Sequence, residues 1–131
     1  TEVTNAYESF EFHKGVQAIN RFCSIVLSST YHDIIKDRLY TLHPEDKKRR
    51  SSQTTLYRIC EALIRILEPM APFTADEAWS FLDSKTEFTN NFLALKPWPK
   101  IEGSLIDEQS VADAESILKL KETLYLIIFR F

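Results

Sequence analysis

Leu56-Tyr57-Arg58-Ile59-Cys60-Glu61-Ala62-Leu63-Ile64-Arg65-Ile66-Leu67 is the stretch that decides the fold. Leu56, Ile59, Cys60, Leu63, Ile66 and Leu67 recur at steps of three and four, so a helix carries all six along one stripe that needs burying. Pro69 and Pro72 mark its end, because proline lacks the amide hydrogen of the helix ladder and restrains the residue before it. The same periodicity returns upstream. Val16, Ile19, Cys23, Val26 and Leu27 share a face on a helix from Phe12, and Tyr31, Ile34, Ile35 and Leu39 share one on a second helix, or kinked continuation, ending near Tyr40. Ser28 and Ser29 are expected to break or cap the chain between them. Thr4 to Phe10 reads as the stump of an earlier helix that turns near Phe10 and Glu11, and Thr41 to Asp46 as a loop.

Downstream, Thr74-Ala75-Asp76-Glu77 has the form of a capping box, with Thr74 as N-cap and Glu77 reaching back to its amide. A short helix through Trp79 and Leu82 follows, with Trp79 packed beneath it. Asp83 to Ser104 reads as irregular, with a brief extended piece at Phe92 to Leu95 and Trp98 as its anchor. A last helix starts near Asp107 or Ser110 and presents Ile117, Leu118, Lys121 and Leu124 near one another. The expectation is an all-α, antiparallel helical bundle forming a single domain over 1–131. Its helical core covers about 5–82, the irregular connection 83–106 and the last helix about 107–129.

Composition narrows the function classes. Hydrophobic residues make up 44% and charged residues 27% of 131 residues, an ordinary globular balance. Gly15 and Gly103 are the only glycines and lie far apart, so no glycine-rich loop cradles a phosphate. Cys23 and Cys60 have neither zinc-site spacing nor the density of a disulfide scaffold, and both are expected to be buried free thiols. His13, His32 and His43 show no ligand spacing, so no metal is expected. No nucleophile and base can be assembled into a catalytic set. No apolar run reaches the roughly 20 residues of a membrane span, and the protein is expected to be cytoplasmic. The chain starts at Thr1 and ends within the apolar run 124–129, which reads as a piece of something longer.

The formal charge is −3, but it is unevenly spread. Between Lys36 and Arg65 there are eight basic and four acidic residues, net +4, against net −7 elsewhere. Lys47-Lys48-Arg49-Arg50 opens a predicted helix, where the macrodipole disfavours each cation by about 0.3–1 kcal/mol. One reading is phosphate contact, with first-turn amides as further donors. The other is a solvated charge run balanced by Glu45 and Asp46. Lys36-Asp37-Arg38 has two readings as well, since Asp37 could pair with Arg38 or Arg50 and join two helices, while Lys36 is freer to meet a partner. Tyr40 and Tyr57 could stack on unpaired bases or belong to the core, as Tyr31 is expected to. Gln53, one turn beyond the arginines, could reach a base or ribose, or be an exposed helix residue.

Several ordered motifs resemble one family. Tyr7 to His13 (YESFEFH), the Leu-Ser-x-x-Tyr element at Leu27 to Tyr31, Lys36 to Thr41 (KDRLYT), Arg49 to Leu56 (RRSSQTTL) and Leu67 to Trp79 (LEPMAPFTADEAW) together resemble the anticodon-binding domain of bacterial-type isoleucyl-tRNA synthetases, in class Ia. Valine enzymes share the Leu-Ser-x-x-Tyr and Pro-Phe-x-x-x-Glu-x-Trp patterns but usually lack the KDRLYT and RRSxQT pair. The resemblance is strong from about Tyr7 to Leu82 and loose beyond it, and Glu68 stands where the family often has Ala.

This resemblance implies a helical bundle that holds the anticodon stem and loop of an isoleucine-specific tRNA, with the rest of the synthetase chain as its other partner and no membrane or DNA. The motifs mark the region, and side-chain chemistry assigns phosphate contacts there to Lys36, Lys47, Lys48, Arg49 and Arg50, with Gln53 and Tyr40 as weaker candidates for base or sugar contact. Arg38 joins the tRNA-facing set, although Asp37 and Arg38 are assigned mainly to holding the hairpin in shape. The parent enzyme is expected to use ATP and Mg²⁺, with Zn²⁺ in a C-terminal domain of some relatives. Neither the HIGH-type nor the KMSKS-type motif is present, so no catalytic residue is expected here. The alternatives are a valine-type anticodon domain and a helical protein-interaction domain.

Overall fold

The stripe of residues 56–67 lies on α4, Lys47–Leu67, in a computed structural model that describes residues 2–82, 92–100, 103 and 106–128, the last eight by backbone alone. Before it come α1, Glu2–Glu8, then α2, Phe12–Arg21, a π-helical stretch Phe22–His32, and α3, Asp33–Thr41. After it come α5, Pro72–Leu82, a 3₁₀ turn at Leu93–Leu95, and α6, Glu108–Ile128. Among the described residues no strand occurs, and the all-α expectation holds. The chain packs as two compact units, Thr1–Pro99 and Lys100–Phe131.

In the first unit, packing runs mainly between elements adjacent in sequence: α1 on α2, α3 on α4, α4 on α5, and α5 on the 3₁₀ turn. The α1–α2 contact is close because Ala6, Gly15 and Ala18 are buried there with Ile19. A Cβ on Gly15 would lie 2.8 Å from Tyr7 Cε1. The turn between α1 and α2 falls where expected. The Glu11 amide donates to Ala6 O at 2.8 Å and the Phe10 amide to Tyr7 O at 3.1 Å, with Phe10 left-handed at φ 59. This is a Schellman closure with phenylalanine where glycine is usual.

A second core forms from Ile64, Ala75, Trp79 and Leu93, with Ala78 and Leu82 against it. Trp79 is therefore buried as predicted. Trp98 is an anchor, donating from Nε1 to Thr4 Oγ1 at 3.0 Å with its ring centroid 5.3 Å from that of Tyr7. The Tyr7 hydroxyl in turn donates to Ile66 O at 2.9 Å and ties α1 to α4. Arg65 donates to Pro97 O and fastens the same segment to α4. Ile35 on α3 is 1% exposed, and burial of such a side chain is worth about 1.5–3 kcal/mol.

Several sequence expectations are corrected. The serine pair does not break the chain. The backbone stays helical with the wider π spacing, and Ser29 and Thr30 donate to the carbonyls five residues back, Ser24 O at 2.9 Å and Ile25 O at 3.1 Å. No residue of that stretch is buried, so the face through Val26 is half-covered only. Thr74 is not an N-cap. The Ala75 amide already donates to Ala71 O at 2.9 Å, and Pro72 opens α5, where its fixed φ suits the first helical position. Residues 93–95 form a 3₁₀ turn rather than an extended piece, residues 96–100 are irregular as expected, and residues 83–91, 101–102 and 104–105 of the expected connection lie outside the described residues. Cys60 is exposed and Cys23 half-buried, both as free thiols. In α4 Ser52 and Ile64 are the buried residues, while Leu56, Ile59, Leu63, Ile66 and Leu67 of the apolar stripe are half-buried and Cys60 is exposed.

In the second unit α6 starts beside Asp107, as one of the two expected positions. The Gln109 amide donates to its carboxylate at 3.1 Å and the Ser110 hydroxyl at 2.6 Å, and these bonds hold that carboxyl below its usual range. Ile117 is exposed and Leu118 half-buried. The side chains of Lys121 and Leu124 lie outside the described residues.

Candidate nucleic-acid interface

The basic run occupies the first turn of α4, and Asp46 makes that start possible. Its backbone is extended (φ −62, ψ 131), and its carboxylate accepts from the Lys48 amide at 2.8 Å and the Arg49 amide at 3.4 Å. An anionic N-cap satisfies orphan amides and opposes the unfavourable meeting of cations with the positive helix end. It has a second effect. The Lys48 and Arg49 amides that could have met a phosphate are taken by Asp46, so attraction for an anion at this turn rests mainly on side chains.

The four cations do not share one environment. Arg49 is half-buried and turns back over the α3–α4 loop, where Nη1 donates to Leu42 O at 2.7 Å. Its Nε is buried with no partner among the described residues. Arg49 therefore holds the hairpin, the role the sequence reading gave to Asp37 and Arg38. Those two side chains are exposed and form no ion pair among the described residues; the Asp37 carbonyl accepts from Thr41 Oγ1 at 2.6 Å. The expected Asp37 bridge to Arg38 or Arg50 is absent because the hairpin is already closed by a side chain to a loop carbonyl. Lys47, Lys48 and Arg50 are exposed and, among the described residues, unpaired.

Below Arg50 on the outer face of α4 lies an open depression of 300 Å³ lined by Arg50, Gln53, Thr54 and Tyr57. The spacing is i, i+3, i+4 and i+7, the rule for one helix face. That spacing was the available signal for Thr54, which the sequence reading did not single out, and for setting Tyr57, raised there as a stacking candidate, beside Gln53 and Arg50. The Thr54 hydroxyl is committed to Arg50 O at 3.0 Å, leaving Arg50, Gln53 and Tyr57 as the groups free to meet a ligand.

Lys36 and Tyr40 sit elsewhere. They line a 460 Å³ depression along α3 with Ser28, His32, Asp33, Ile35, Leu39 and Leu56. Lys36 Nζ pairs with Asp33 Oδ1 at 2.7 Å, so it is less free than its sequence suggested, while Tyr40 is 85% exposed. Arg38 lines neither depression. Among the described residues no group of three or more His, Cys, Asp or Glu could hold a metal ion, and no helix is long and apolar enough to cross a membrane. The arrangement offers positive charge, amide and aromatic groups on one helix, suited to binding a polyanion with exposed bases.

Comparison with known proteins gives this surface its context. The chain is similar to isoleucine-tRNA ligases from Natranaerobius thermophilus (38% identical over 108 residues, covering 82% of this chain and 11% of the relative) and Symbiobacterium thermophilum (37% over 131 residues, 98% and 14%). It is also similar to that of Syntrophomonas wolfei (38% over 120 residues, 92% and 13%). The chain thus spans about an eighth of the length of the curated relatives it matches. A family model for the anticodon-binding domain of tRNA ligase matches residues 1–127. On that match across helices α1 to α6, the chain belongs to the family of tRNA ligase anticodon-binding domains.

Proposed function

We propose that this domain holds the anticodon stem and loop of an isoleucine-accepting tRNA as part of a cytoplasmic isoleucine-tRNA ligase. The observation that carries the reading is the set of three exposed, unpaired cations, Lys47, Lys48 and Arg50, at one helix end of a chain that is acidic elsewhere. These supply the phosphate contacts, with Lys36 and Arg38 on the neighbouring α3 as secondary cations. Gln53 and Tyr40 are available for base or sugar contact. Arg49 acts by shaping the loop rather than by touching RNA. Isoleucine is favoured over valine by the KDRLYT and RRSSQT motifs and by the names of the relatives. ATP and Mg²⁺, and Zn²⁺ where present, are proposed to serve other parts of the parent enzyme.

The test is binding of the chain to isoleucine and valine tRNAs at several salt concentrations, beside a Lys48→Ala, Arg50→Ala double variant with native helicity. Three phosphates neutralised predict an affinity that falls by about 2 to 3 log units per tenfold salt, and the double variant should lose about two thirds of that slope. Preference for the isoleucine tRNA supports the assignment, and preference for valine tRNA moves it to the valine enzymes. A folded chain that binds neither tRNA at low salt overturns the reading in favour of a protein-docking role.

A further inference from the structure

We infer that Tyr57 is a stacking platform for one unpaired base of the RNA loop, with Gln53 beside it to hydrogen-bond that base's edge. The inference rests on the anticodon reading above and adds a base-contacting subsite on α4. Tyr57 is 49% exposed, and among the described residues it makes no hydrogen bond and meets no other aromatic ring. A buried tyrosine would be explained by packing; this ring has an open face and no internal partner. It shares the 300 Å³ depression with Gln53 and Arg50, a space at the lower end of small-ligand sites and large enough for a single base.

The order along the helix fits a nucleotide. With a rise of 1.5 Å per residue, Gln53 lies about 6 Å and Arg50 about 10.5 Å from Tyr57 along the axis. A base on the ring therefore has an amide donor and acceptor one turn away and a guanidinium for phosphate one turn further. Gln53 can both donate and accept, which permits readout of a base edge, whereas the ring accepts any base. Tyr40 is more exposed, but it borders a depression whose cation, Lys36, is already paired with Asp33. Charge complementarity thus favours the α4 depression as the place for a nucleotide.

The test compares the chain with Tyr57→Ala and Tyr57→Phe, each checked for native helicity, against an anticodon stem-loop RNA. A fluorescent purine analogue is placed in turn at each loop position. The Ala variant should bind about 5- to 150-fold more weakly, the effect of losing one base stacked on an aromatic ring, with its salt slope unchanged. The Phe variant should bind within about twofold of the parent. One loop position should show a fluorescence change with the parent and the Phe variant that is absent with Ala. If RNA binds with the expected salt slope while Tyr57→Ala binds equally well, this inference fails and the anticodon reading stands. Equal losses in Phe and Ala assign the effect to the hydroxyl and overturn stacking. If the parent chain binds no RNA, both readings fall together.

Discussion

Replacing Asp46 separates the two things it does, capping α4 and placing a negative charge beside the cation cluster. Asp46→Ala removes the acceptor of the Lys48 and Arg49 amides, a loss typically worth about 0.5–2 kcal/mol. One bond is of ordinary length at 2.8 Å and the other is long at 3.4 Å, which favours the lower half of that range. The lost carboxylate also no longer opposes the helix dipole, a further contribution of about 0.3–1 kcal/mol. The sum is about 1–2 kcal/mol. With a urea dependence near 2 kcal/mol per molar, the unfolding midpoint should fall by about 0.5–1 M. Asp46→Asn keeps a cap of similar quality and loses only the charge, so its midpoint should fall by about 0.15–0.5 M. On the proposed RNA contact, the same Asn variant should bind RNA about two- to fivefold more tightly, because a negative charge beside the cations is gone. Urea melts of the three proteins and an RNA titration at fixed salt decide the matter. Equal midpoints for Ala and Asn would refute the cap argument, and weaker RNA binding by Asn would refute the placement of the cations.

Four further outcomes follow from other sites. Phe10→Gly should stabilise the chain by about 0.5–1 kcal/mol in urea melts, since a left-handed phenylalanine costs about 1–2 kcal/mol and glycine's greater unfolded freedom returns part of that. Gly15→Ala should destabilise despite a helix-propensity gain of about 1 kcal/mol, because the new Cβ meets the Tyr7 ring, whose hydroxyl is fixed to Ile66 O; a raised midpoint would show that the ring yields. Arg49→Ala should lower stability by about 1–3 kcal/mol while changing the RNA salt slope less than Arg50→Ala does. Burial raises the Tyr7 phenol above its ordinary value near 10, so the fold favours the protonated form. Stability from this source is complete below pH about 10 and is lost as pH rises through the folded value. Tyr7→Phe should weaken the fold at neutral pH through the lost bond to Ile66 O but flatten the decline above pH 10; an equally steep decline would place the titrating group elsewhere.

The helices themselves were legible because their signal is periodic and local. The turn at Phe10 and Glu11, the start of α6 at Asp107 and the two tryptophan anchors all came from such signals. What escaped depends on which neighbour a residue meets. Ser28 and Ser29 suggested a break, yet a serine or threonine hydroxyl can also bond back to its own helix, and Ser29 and Thr30 do so. Thr74 and Pro72 are both helix-start signals two residues apart, and the backbone follows the proline. Arg49 and Arg50 are adjacent letters with the same charge. They differ by about 100° around the helix, which sends one to the Leu42 carbonyl and leaves the other exposed. No count of charges separates them, whereas the face shared by Arg50, Gln53 and Tyr57 needed only their spacing.

The Trp98 bond to Thr4 brings the last described segment of the first unit back to its first helix, and Tyr7 joins that corner to Ile66 near the end of α4. The first and last described segments of this unit therefore meet at one corner. From Ile66 to Lys47 the uninterrupted helix is about 28 Å long, so α4 is a lever with its cations at the tip. A rotation of only about 10° about that corner would carry the tip through about 5 Å, enough to change which phosphate the proposed contact of Arg50 would meet.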